Sequence, residues 1–305
     1  MASSPRPGEV RGARDLVALW RALPAAVLCY PAAALTPGLG LGALSDTLRA
    51  RAWREHCAAP TLASCADLGQ SCVLGDGGRC LADALFPMKV GGGAPSWRMA
   101  TLAVQYRPAL AQLRLVALGE TACGGLGWAA RCLHDHHRLA GGEPLEVATL
   151  ADLERLEFTG GARRWRLRFV TPWLVEKNPR GPLVPPDGAA VAVELRKAIG
   201  RRAHKLTALC LAGAVALRLG SHLVHHVAAA LLPRALAVEE ARVEAQVLGL
   251  ASRGNAARFD ALCWSGEVAL RVAEDALPWL GLVATCGGGE NADKGFGGVE
   301  LTPLD

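Results

Sequence analysis

The sequence is poor in lysine, in aromatic residues and in long apolar runs. Only five of its 33 basic residues are lysines, and aromatic residues make up 5% of the 305 positions. The longest apolar run, 206–219, contains Arg218 and is shorter than the roughly 18 residues that a membrane span needs. No apolar secretory core follows the first charges of the chain. We therefore expect a protein of the reducing cytoplasm, with free thiols among its ten cysteines.

Apolar bulk, glycine and arginine are abundant instead. Hydrophobic residues make up 51% of the chain and charged residues 20%, which is enough for two packed cores and excludes a mainly disordered chain. The formal charge of +5 is modest. Because a guanidinium group binds phosphate and stacks on bases better than an ammonium group, the arginine excess suits a nucleic-acid partner. It is equally expected from a genome that favours Ala and Arg.

Apolar periodicity in the first half predicts the element order of a split βαβ motif. The predicted strands are 25–34, 97–106, 113–118 and 145–150, and the predicted helices are 41–56 and 121–139. The order strand, helix, strand, strand, helix, strand is that of a ferredoxin-like domain.

The second half predicts the same theme with more helix. Its predicted elements are a strand at 163–171, a Pro-rich loop at 172–187, a helical region at 191–253, a strand near 262–272, a helix from Pro278 and a strand at 296–301. We predict an α+β fold of two tandem ferredoxin-like (RRM-type) domains, 1–155 and 156–305, the second with a helical elaboration.

Two basic segments predict contact with a phosphate backbone. Alternation in the strand at 163–171 places three arginines on one face, opposite three apolar side chains. A second group lies on one predicted helix, where it forms a stripe that suits the phosphates of an A-form stem, although a solvated charged face has the same pattern. The predicted RNA-binding residues of these segments are Arg164, Arg166, Arg168, Arg196, Lys197, Arg201, Arg202 and Lys205.

A glycine-rich loop near the C-terminus is the most specific motif of the chain. It reads TCGGGENADKGFGGVEL and lies between a predicted helix and the last predicted strand. Lys294 precedes Gly295 and a strand follows, so the residue order excludes a P-loop or a Rossmann loop. A loop without Cβ atoms can bring backbone N–H groups and one lysine close to a sugar–phosphate chain. Its predicted RNA-binding residues are Gly287, Gly288, Gly289, Lys294, Gly295 and Gly297.

Several segments together resemble a known family. They are LGALSDTLRARAWREHC, LRLVALGE, LRFVTP, ELRKAIGRRAHKL and the closing LPWLGLVATCGGGENADKGFGGVEL. This combination resembles the CRISPR-associated endoribonucleases of the repeat-associated mysterious protein (RAMP) superfamily, which process precursor crRNA. Members often carry a His beside the first glycines of the loop, where this sequence has Thr285 and Cys286.

The resemblance implies a fold, a reaction and partners. The tandem domains would hold the stem of a CRISPR repeat hairpin and cut at its base, with no metal or other cofactor. The ribose 2′-hydroxyl would attack its own phosphate, giving a 2′,3′-cyclic phosphate and a 5′-hydroxyl. The product crRNA would stay bound by its 3′ hairpin, together with other subunits of an effector complex. The alternative is a RAMP subunit that binds crRNA without cutting it.

His56 is the predicted catalytic residue, with Arg49 and Arg54 beside it in sequence. It ends the first predicted helix after a strand, where the resembled family commonly places its catalytic His. Imidazole suits both proton transfers because its unperturbed pKa of about 6.5 is close to working pH. An arginine-only site stays open as an alternative, with Arg49 or Arg54 stabilising the phosphate while water or substrate handles the protons.

Other clusters of metal-ligating residue types predict no metal site. Cys132, His134 and His137 have zinc-compatible spacing but are typical of a solvated helix face. Four cysteines are too widely spaced for paired zinc knuckles, and a third histidine set lacks the Glu of the H-E-x-x-H motif. A metal-binding scaffold remains a third hypothesis, based on composition alone. These two further sets are Cys57, Cys65, Cys72 and Cys80, and His222, His225 and His226.

Overall fold

The fold contains two four-stranded antiparallel sheets with the same internal strand order. In the computed structural model the first sheet is ordered β2-β3-β1-β4 and the second β6-β7-β5-β8. Both orders are those of a ferredoxin-like unit, in which the first and third strands of each unit lie at the centre. The predicted α+β class with tandem ferredoxin-like units is confirmed. The structure describes residues 10–34, 40–56, 82, 85–86, 100–157, 162–211, 214–251, 258–288 and 296–305.

The elements follow the chain in two successive units. The helical elaboration of the second unit is one additional helix, since α5 and α6 both lie between β5 and β6, where the ferredoxin-like order has a single helix. The first unit contains α1 (Ala13–Arg21), β1 (Ala25–Pro31), α2 (Leu41–His56), β2 (Leu102–Arg107), β3 (Gln112–Leu118), α3 (Glu120–His137), β4 (Glu143–Leu145) and α4 (Leu150–Glu157). The second contains β5 (Arg164–Lys177), α5 (Gly188–Cys210), α6 (Ala214–Ala235), β6 (Leu236–Ala251), β7 (Arg258–Val272), α7 (Leu277–Cys286) and β8 (Val299–Pro303). None of the helices within the described ranges is long and apolar enough to cross a bilayer.

The first sheet is buried on both faces. Along β3, Leu115 and Ala117 pack into a cluster with α2 and α3. Val116 and Leu118 point to the opposite face and join a second cluster that also contains Trp165 of the second sheet. Since alternate residues of one strand belong to two cores, the helices between the sheets connect both units. The domain boundary at 155 and 156 stays a prediction.

Two predicted segments of the first unit need correction. The predicted strand at 145–150 is wrong, because the strand is Glu143–Leu145 and a helix begins at Leu150. Asp152 accepts hydrogen bonds from the backbone N–H and the hydroxyl of Thr149 at 2.8 and 2.9 Å, which stabilises the first turn of that helix. Helix α1 was not predicted. Its Trp20 is fully buried and donates to the Thr207 hydroxyl at 2.9 Å.

Two predicted segments of the second unit are also wrong. The strand β5 continues through Pro172 to Lys177 instead of ending in a loop, with register shifts between Phe169 and Trp173. Such an irregularity accommodates Pro172, which has no N–H for the ladder. Residues 236–251 form a strand rather than a helix, although their Ala, Glu and Leu favour helix. The paired strand β7 overrides that preference because the two strands pair from Leu236 to Ala251.

Candidate nucleic-acid interface

The described ends of the glycine loop pack closely against each other. Gly288 donates its N–H to the Gly297 carbonyl at 2.7 Å, and Gly297 donates to the Pro172 carbonyl at 2.9 Å. Gly287 and Gly297 have positive φ values of 71° and 65°. A Cβ on Gly297 would collide with the Gly288 carbonyl, and one on Gly288 would collide with the Trp173 ring. These glycines are therefore required by backbone packing, whatever they bind.

The remaining predicted residues of the loop, Gly289, Lys294 and Gly295, lie outside the described residues. Their RNA-binding role stays a prediction.

Two side chains of β2 tie the ends of this loop to the first sheet. Arg107 is 4% exposed and donates to the Val299 and Ala284 carbonyls, both at 2.7 Å. Gln105 donates to the Thr285 carbonyl at 2.5 Å. Residues on both sides of the loop are therefore anchored to the first sheet, so both units position the two ends of the loop. Sequence reasoning missed Arg107 because it shares a strand face with Gln105, opposite the apolar Leu102 and Val104, so alternation did not indicate that it is buried.

The positions where the resembled family often has a His are structural here. Thr285 is fully buried and donates its hydroxyl to the Gly281 carbonyl at 2.9 Å. Cys286 is also buried, and burial raises the pKa of its thiol. A protonated, enclosed thiol is a poor base and a poor nucleophile. The described ends of the loop therefore bring no group suited to proton transfer.

Helix α2 separates the loop from the predicted catalytic histidine. Its first residue, Leu41, lines the same small cleft as Gly287 and Gly298. His56 is its last residue, so a rise of 1.5 Å per residue places the two helix ends about 22 Å apart. An RNA that contacts both the loop ends and His56 must span this distance.

His56 lies half-buried against Trp128 of α3. The two rings meet edge to face, with 5.0 Å between their centroids. The Trp128 indole donates to Glu55 at 2.8 Å, and Glu55 also pairs with Arg51 at 2.5 Å. The Nε2 atom of His56 is buried and has no hydrogen-bond partner in the part of the chain that the structure describes. This nitrogen is therefore not committed to a hydrogen bond with a described residue, and a ligand reaches it only when the groups that cover it move.

Helix α2 carries all three predicted catalytic residues but does not bring their side chains to one place. Arg49 precedes His56 by seven positions, so it lies on nearly the same side of α2 but about 10 Å along its axis. Its guanidinium is 5.9 Å from the centroid of the Phe86 ring. Arg54 is exposed and lies about 200° around the helix from His56. The arginine in contact with the neighbours of His56 is Arg51, which sequence reasoning did not select.

In the histidine cluster at the end of α3, one side chain contacts α2 and another is exposed to solvent. His137 shares a hydrogen bond of 2.8 Å between its Nε2 and the Thr47 hydroxyl. Burial lowers the pKa of His137, and the neighbouring His136 lowers it further. His134 is exposed, with Asp135 at 3.5 Å, whereas Cys132 is buried. Cys132 and His134 therefore lie on different sides of α3 and do not form a zinc site together.

No group of three or more His, Cys, Asp or Glu side chains suited to a metal occurs among the described residues. The four widely spaced cysteines, Cys57, Cys65, Cys72 and Cys80, lie outside them. On the helix pair α5 and α6, the His204 and His225 rings meet edge to face at 5.2 Å. Burial lowers the pKa of His204, assisted by His225 and Lys205. His222, His225 and His226 are exposed.

The predicted arginine face of β5 exists but carries acids as well. Arg164, Arg166 and Arg168 are exposed while the residues between them are buried. Arg164 pairs with Glu239 at 2.9 Å, and Arg166 lies 3.8 Å from Glu267. Because paired charges attract phosphate less strongly than free ones, this face is a weaker anion site than its arginines alone suggest.

In the first part of the predicted basic helix, one basic side chain is exposed to solvent and the other contacts the start of β6. On α5, Lys197 is exposed. Arg196 instead donates to the Leu236 carbonyl at 3.0 Å. Its guanidinium therefore helps to hold the end of α6 and the start of β6, as well as facing solvent in part.

The second part of that helix points inward. Arg202 is 7% exposed, so it does not share an open stripe with Lys197. Arg201 pairs with Glu194 at 2.5 Å, and Lys205 is half-buried. The five basic residues therefore spread around α5, because its hydrophobic contacts lie on more than one side. Their contact with RNA stays a prediction.

No protein-family model and no curated protein matches the chain. Solved structures do match across nearly the whole length. A Thermus thermophilus Cas6 is 18% identical, covering 92% of this chain and 98% of its own, with a TM-score of 0.42. A Cas6-related protein of Pyrococcus furiosus is 11% identical, at 93% and 100% coverage, with a TM-score of 0.41. Thermus thermophilus Cse3 bound to an RNA representing a pre-cleavage complex is 12% identical, at 92% and 100% coverage, with a TM-score of 0.37.

A structure described as the CRISPR RNA processing endoribonuclease Cas6b is 11% identical, at 92% and 99% coverage, with a TM-score of 0.32. The low identity of these structures means that no residue role passes from them to this chain.

Proposed function

We propose that the protein is a metal-independent endoribonuclease that binds a CRISPR repeat hairpin and cleaves precursor crRNA. The resemblance of the sequence supplies the reaction class. The observation that carries the catalytic assignment is the buried Nε2 atom of His56, which has no internal partner among the described residues. It belongs to an imidazole held in place by Trp128 at the end of α2.

The proposed reaction needs one proton removed and one returned. His56 accepts the proton of the ribose 2′-hydroxyl as its oxygen forms a bond to the adjacent phosphorus. The bond from phosphorus to the 5′-oxygen breaks, and the imidazolium or water returns a proton to that oxygen. The products are a 2′,3′-cyclic phosphate and a 5′-hydroxyl. Arg49, which lies on nearly the same side of α2 as His56, stabilises the added charge on the phosphate, since a cation near the transition state lowers the barrier. Arg54, on another side of α2, is a candidate only for the arginine-only site.

The glycine loop and the basic residues of the second unit serve RNA binding in this proposal. The loop ends are held by Arg107 and Gln105, so the loop has a rigid base. Exposed Lys197 and the arginine face of β5 are available to the phosphates of the hairpin stem. After cutting, the protein keeps the 3′ hairpin of the crRNA and joins an effector complex with other subunits.

A crRNA-binding subunit without catalytic activity is the second candidate. The observation in its favour is that Thr285 and Cys286, beside the loop, are buried and engaged internally. The two candidates differ only in whether RNA is cut, so one assay separates them.

The assay incubates the purified protein with its cognate repeat RNA in EDTA, and with a copy carrying a 2′-deoxy nucleotide at the cleavage site. Cutting of the first RNA alone is expected. Cutting of neither RNA, with binding retained, establishes the non-catalytic subunit instead. Cutting of both contradicts the 2′-hydroxyl mechanism.

The catalytic assignment is tested by His56→Ala, with His137→Ala as the matched control. Loss of His56 is expected to slow single-turnover cleavage by about 10²- to 10⁴-fold, the usual contribution of one proton-transfer group. The His137→Ala variant is expected to keep its cleavage rate, because the Nε2 of His137 is already bonded to Thr47 and does not act on the RNA. Wild-type cleavage by His56→Ala would remove the assignment and leave the arginine-only site.

A further inference from the structure

A large cleft lies at the end of α7 that is remote from the glycine loop. It has a volume of about 1040 Å³ and is bounded by α1, α4, residues 162–163 just before β5, the end of α6, the start of β6 and the end of β7. Leu277, the first residue of α7, lines it, whereas Gly287 follows the last. Ten residues at 1.5 Å each separate the cleft from the loop by about 15 Å. The cleft is therefore distinct from the interface described above.

Arginine dominates the charge of the cleft. Two glutamates, Glu154 and Glu274, oppose five arginines. Arg163 and Arg234 are exposed and make no ion pair within the described ranges. Guanidinium groups that are not neutralised bind phosphate oxygens in bidentate geometry. The lining arginines are Arg21, Arg155, Arg163, Arg234 and Arg271.

Glu154 gives the cleft a second kind of binding group. Its side chain is only 6% exposed, and its Oε2 accepts a hydrogen bond from Arg21 at 2.7 Å. Its Oε1 is buried and has no partner among the described residues. Burial raises the pKa of this carboxyl, while Arg21 opposes the increase. A buried acceptor without a partner is costly unless a ligand supplies a donor.

The two features together select the class of ligand. A free phosphate would be attracted by the arginines but repelled by a carboxylate oxygen. A strand of RNA carries phosphates for the arginines and also donors for the carboxylate, on its ribose hydroxyls and base amines. The volume of about 1040 Å³ is at the upper end of the range for small-molecule sites, about 300–1000 Å³, so more than one nucleotide fits. The cleft also adjoins Arg164 at the edge of the β5 face.

We propose that this cleft binds a single-stranded segment of RNA. Arg163 and Arg234 bind its phosphates, and Glu154 Oε1 accepts a hydrogen bond from a ribose hydroxyl or a base amine. The inference rests on the proposed function for the nature of the partner. It adds a second contact site, about 15 Å from the glycine loop along α7, that takes unpaired nucleotides rather than the hairpin stem.

The arginine contribution is tested with an unstructured ten-nucleotide RNA by fluorescence anisotropy over a series of salt concentrations. The variant Arg163→Ser with Arg234→Ser removes the two unpaired charges. The slope of log K against log salt is expected to fall by about 1.4, because each phosphate contact on a single strand contributes about 0.7. Binding in 0.1 M salt is expected to weaken by about tenfold or more.

The matched control is Arg131→Ser with Arg180→Ser, which removes two exposed arginines elsewhere. It corrects for the change in net charge, so its slope is expected to stay within about 0.3 of wild type, since no phosphate contact is lost. Equal behaviour of the cleft variant and this control would overturn the proposal.

Glu154→Gln and a DNA strand of the same sequence identify the donor. If the donor is a ribose hydroxyl, wild type prefers RNA to DNA and the variant loses this preference. If it is a base amine, the variant weakens binding of both strands. An unchanged affinity for both would overturn the role of Glu154.

The oligonucleotide has no hairpin and is not cleaved, so this experiment is independent of the repeat-cleavage assay. Failure here with intact repeat cleavage rejects only the cleft. Failure of cleavage with intact oligonucleotide binding rejects only the endoribonuclease.

Discussion

The two ends of helix α2 differ in how their polar groups are used. At the Leu41 end, the glycine-loop backbone and Arg107 are bonded within the protein. At the other end, His56 keeps a nitrogen without a partner among the described residues. A group already bonded inside the fold contributes mainly to stability, whereas one left open is available to a ligand. We therefore expect substitutions at the loop end to reduce stability, and those at the His56 end to reduce cleavage.

The largest effect on stability is expected for Gly297→Ala. A methyl group there meets the Gly288 carbonyl, and the backbone has a φ of 65°. Overpacking and left-handed strain together predict a loss of about 4 kcal/mol in the free energy of unfolding, measured by chemical denaturation. Gly124→Ala is the control, because Gly124 lies exposed on α3 with open space around it. If Gly297→Ala loses no more stability than Gly124→Ala, the loop ends are not packed as described.

Arg107→Met is expected to have the next largest effect. The change leaves the Ala284 and Val299 carbonyls without their guanidinium donor in a buried place. Two buried acceptors without partners predict a loss of about 3 kcal/mol, again by denaturation. Arg107→Lys should recover part of it, since one ammonium can satisfy one carbonyl. Wild-type stability in Arg107→Met would show that the loop end does not depend on this link.

The smallest effect on stability is expected for His56→Ala. The half-buried ring loses its edge contact with Trp128, but its Nε2 has no hydrogen bond to lose among the described residues. An aromatic contact of this kind contributes about 1 kcal/mol. The same variant is expected to lose most cleavage, so stability and activity separate at this position. A stability loss as large as that of Arg107→Met would make His56 a structural residue and would remove the contrast between the two ends.

The first unit was largely predictable because its elements are short and clearly separated. The strand with Leu113 and Leu115 alternates toward two cores, and helix 41–56 has apolar residues at helical spacing. The arginine face of β5 was also predictable from alternation. Residues 236–251 were not, because their helix-favouring composition is overridden by pairing with β7.

The candidate site was predictable only as a set of residue types. Sequence reasoning selected His56 and the glycine loop, but gave no distance between them. It could not find Arg107, Arg51 or Glu154, whose partners lie on other elements. Contacts between residues far apart in sequence depend on how the sheets and helices pack, and periodicity carries no information about them.

By itself, the sequence determined the class of fold, the alternating arginine strand and the presence of a glycine-rich loop, because each depends on local spacing. Tertiary structure decided which charges are available: it buried Arg202, paired Arg164 with Glu239, and gathered the arginine cleft around Glu154. The physical reason is that exposure and pairing of a charge depend on neighbours from other elements. Local pattern specifies where a side chain stands on its own element, and packing specifies what it meets.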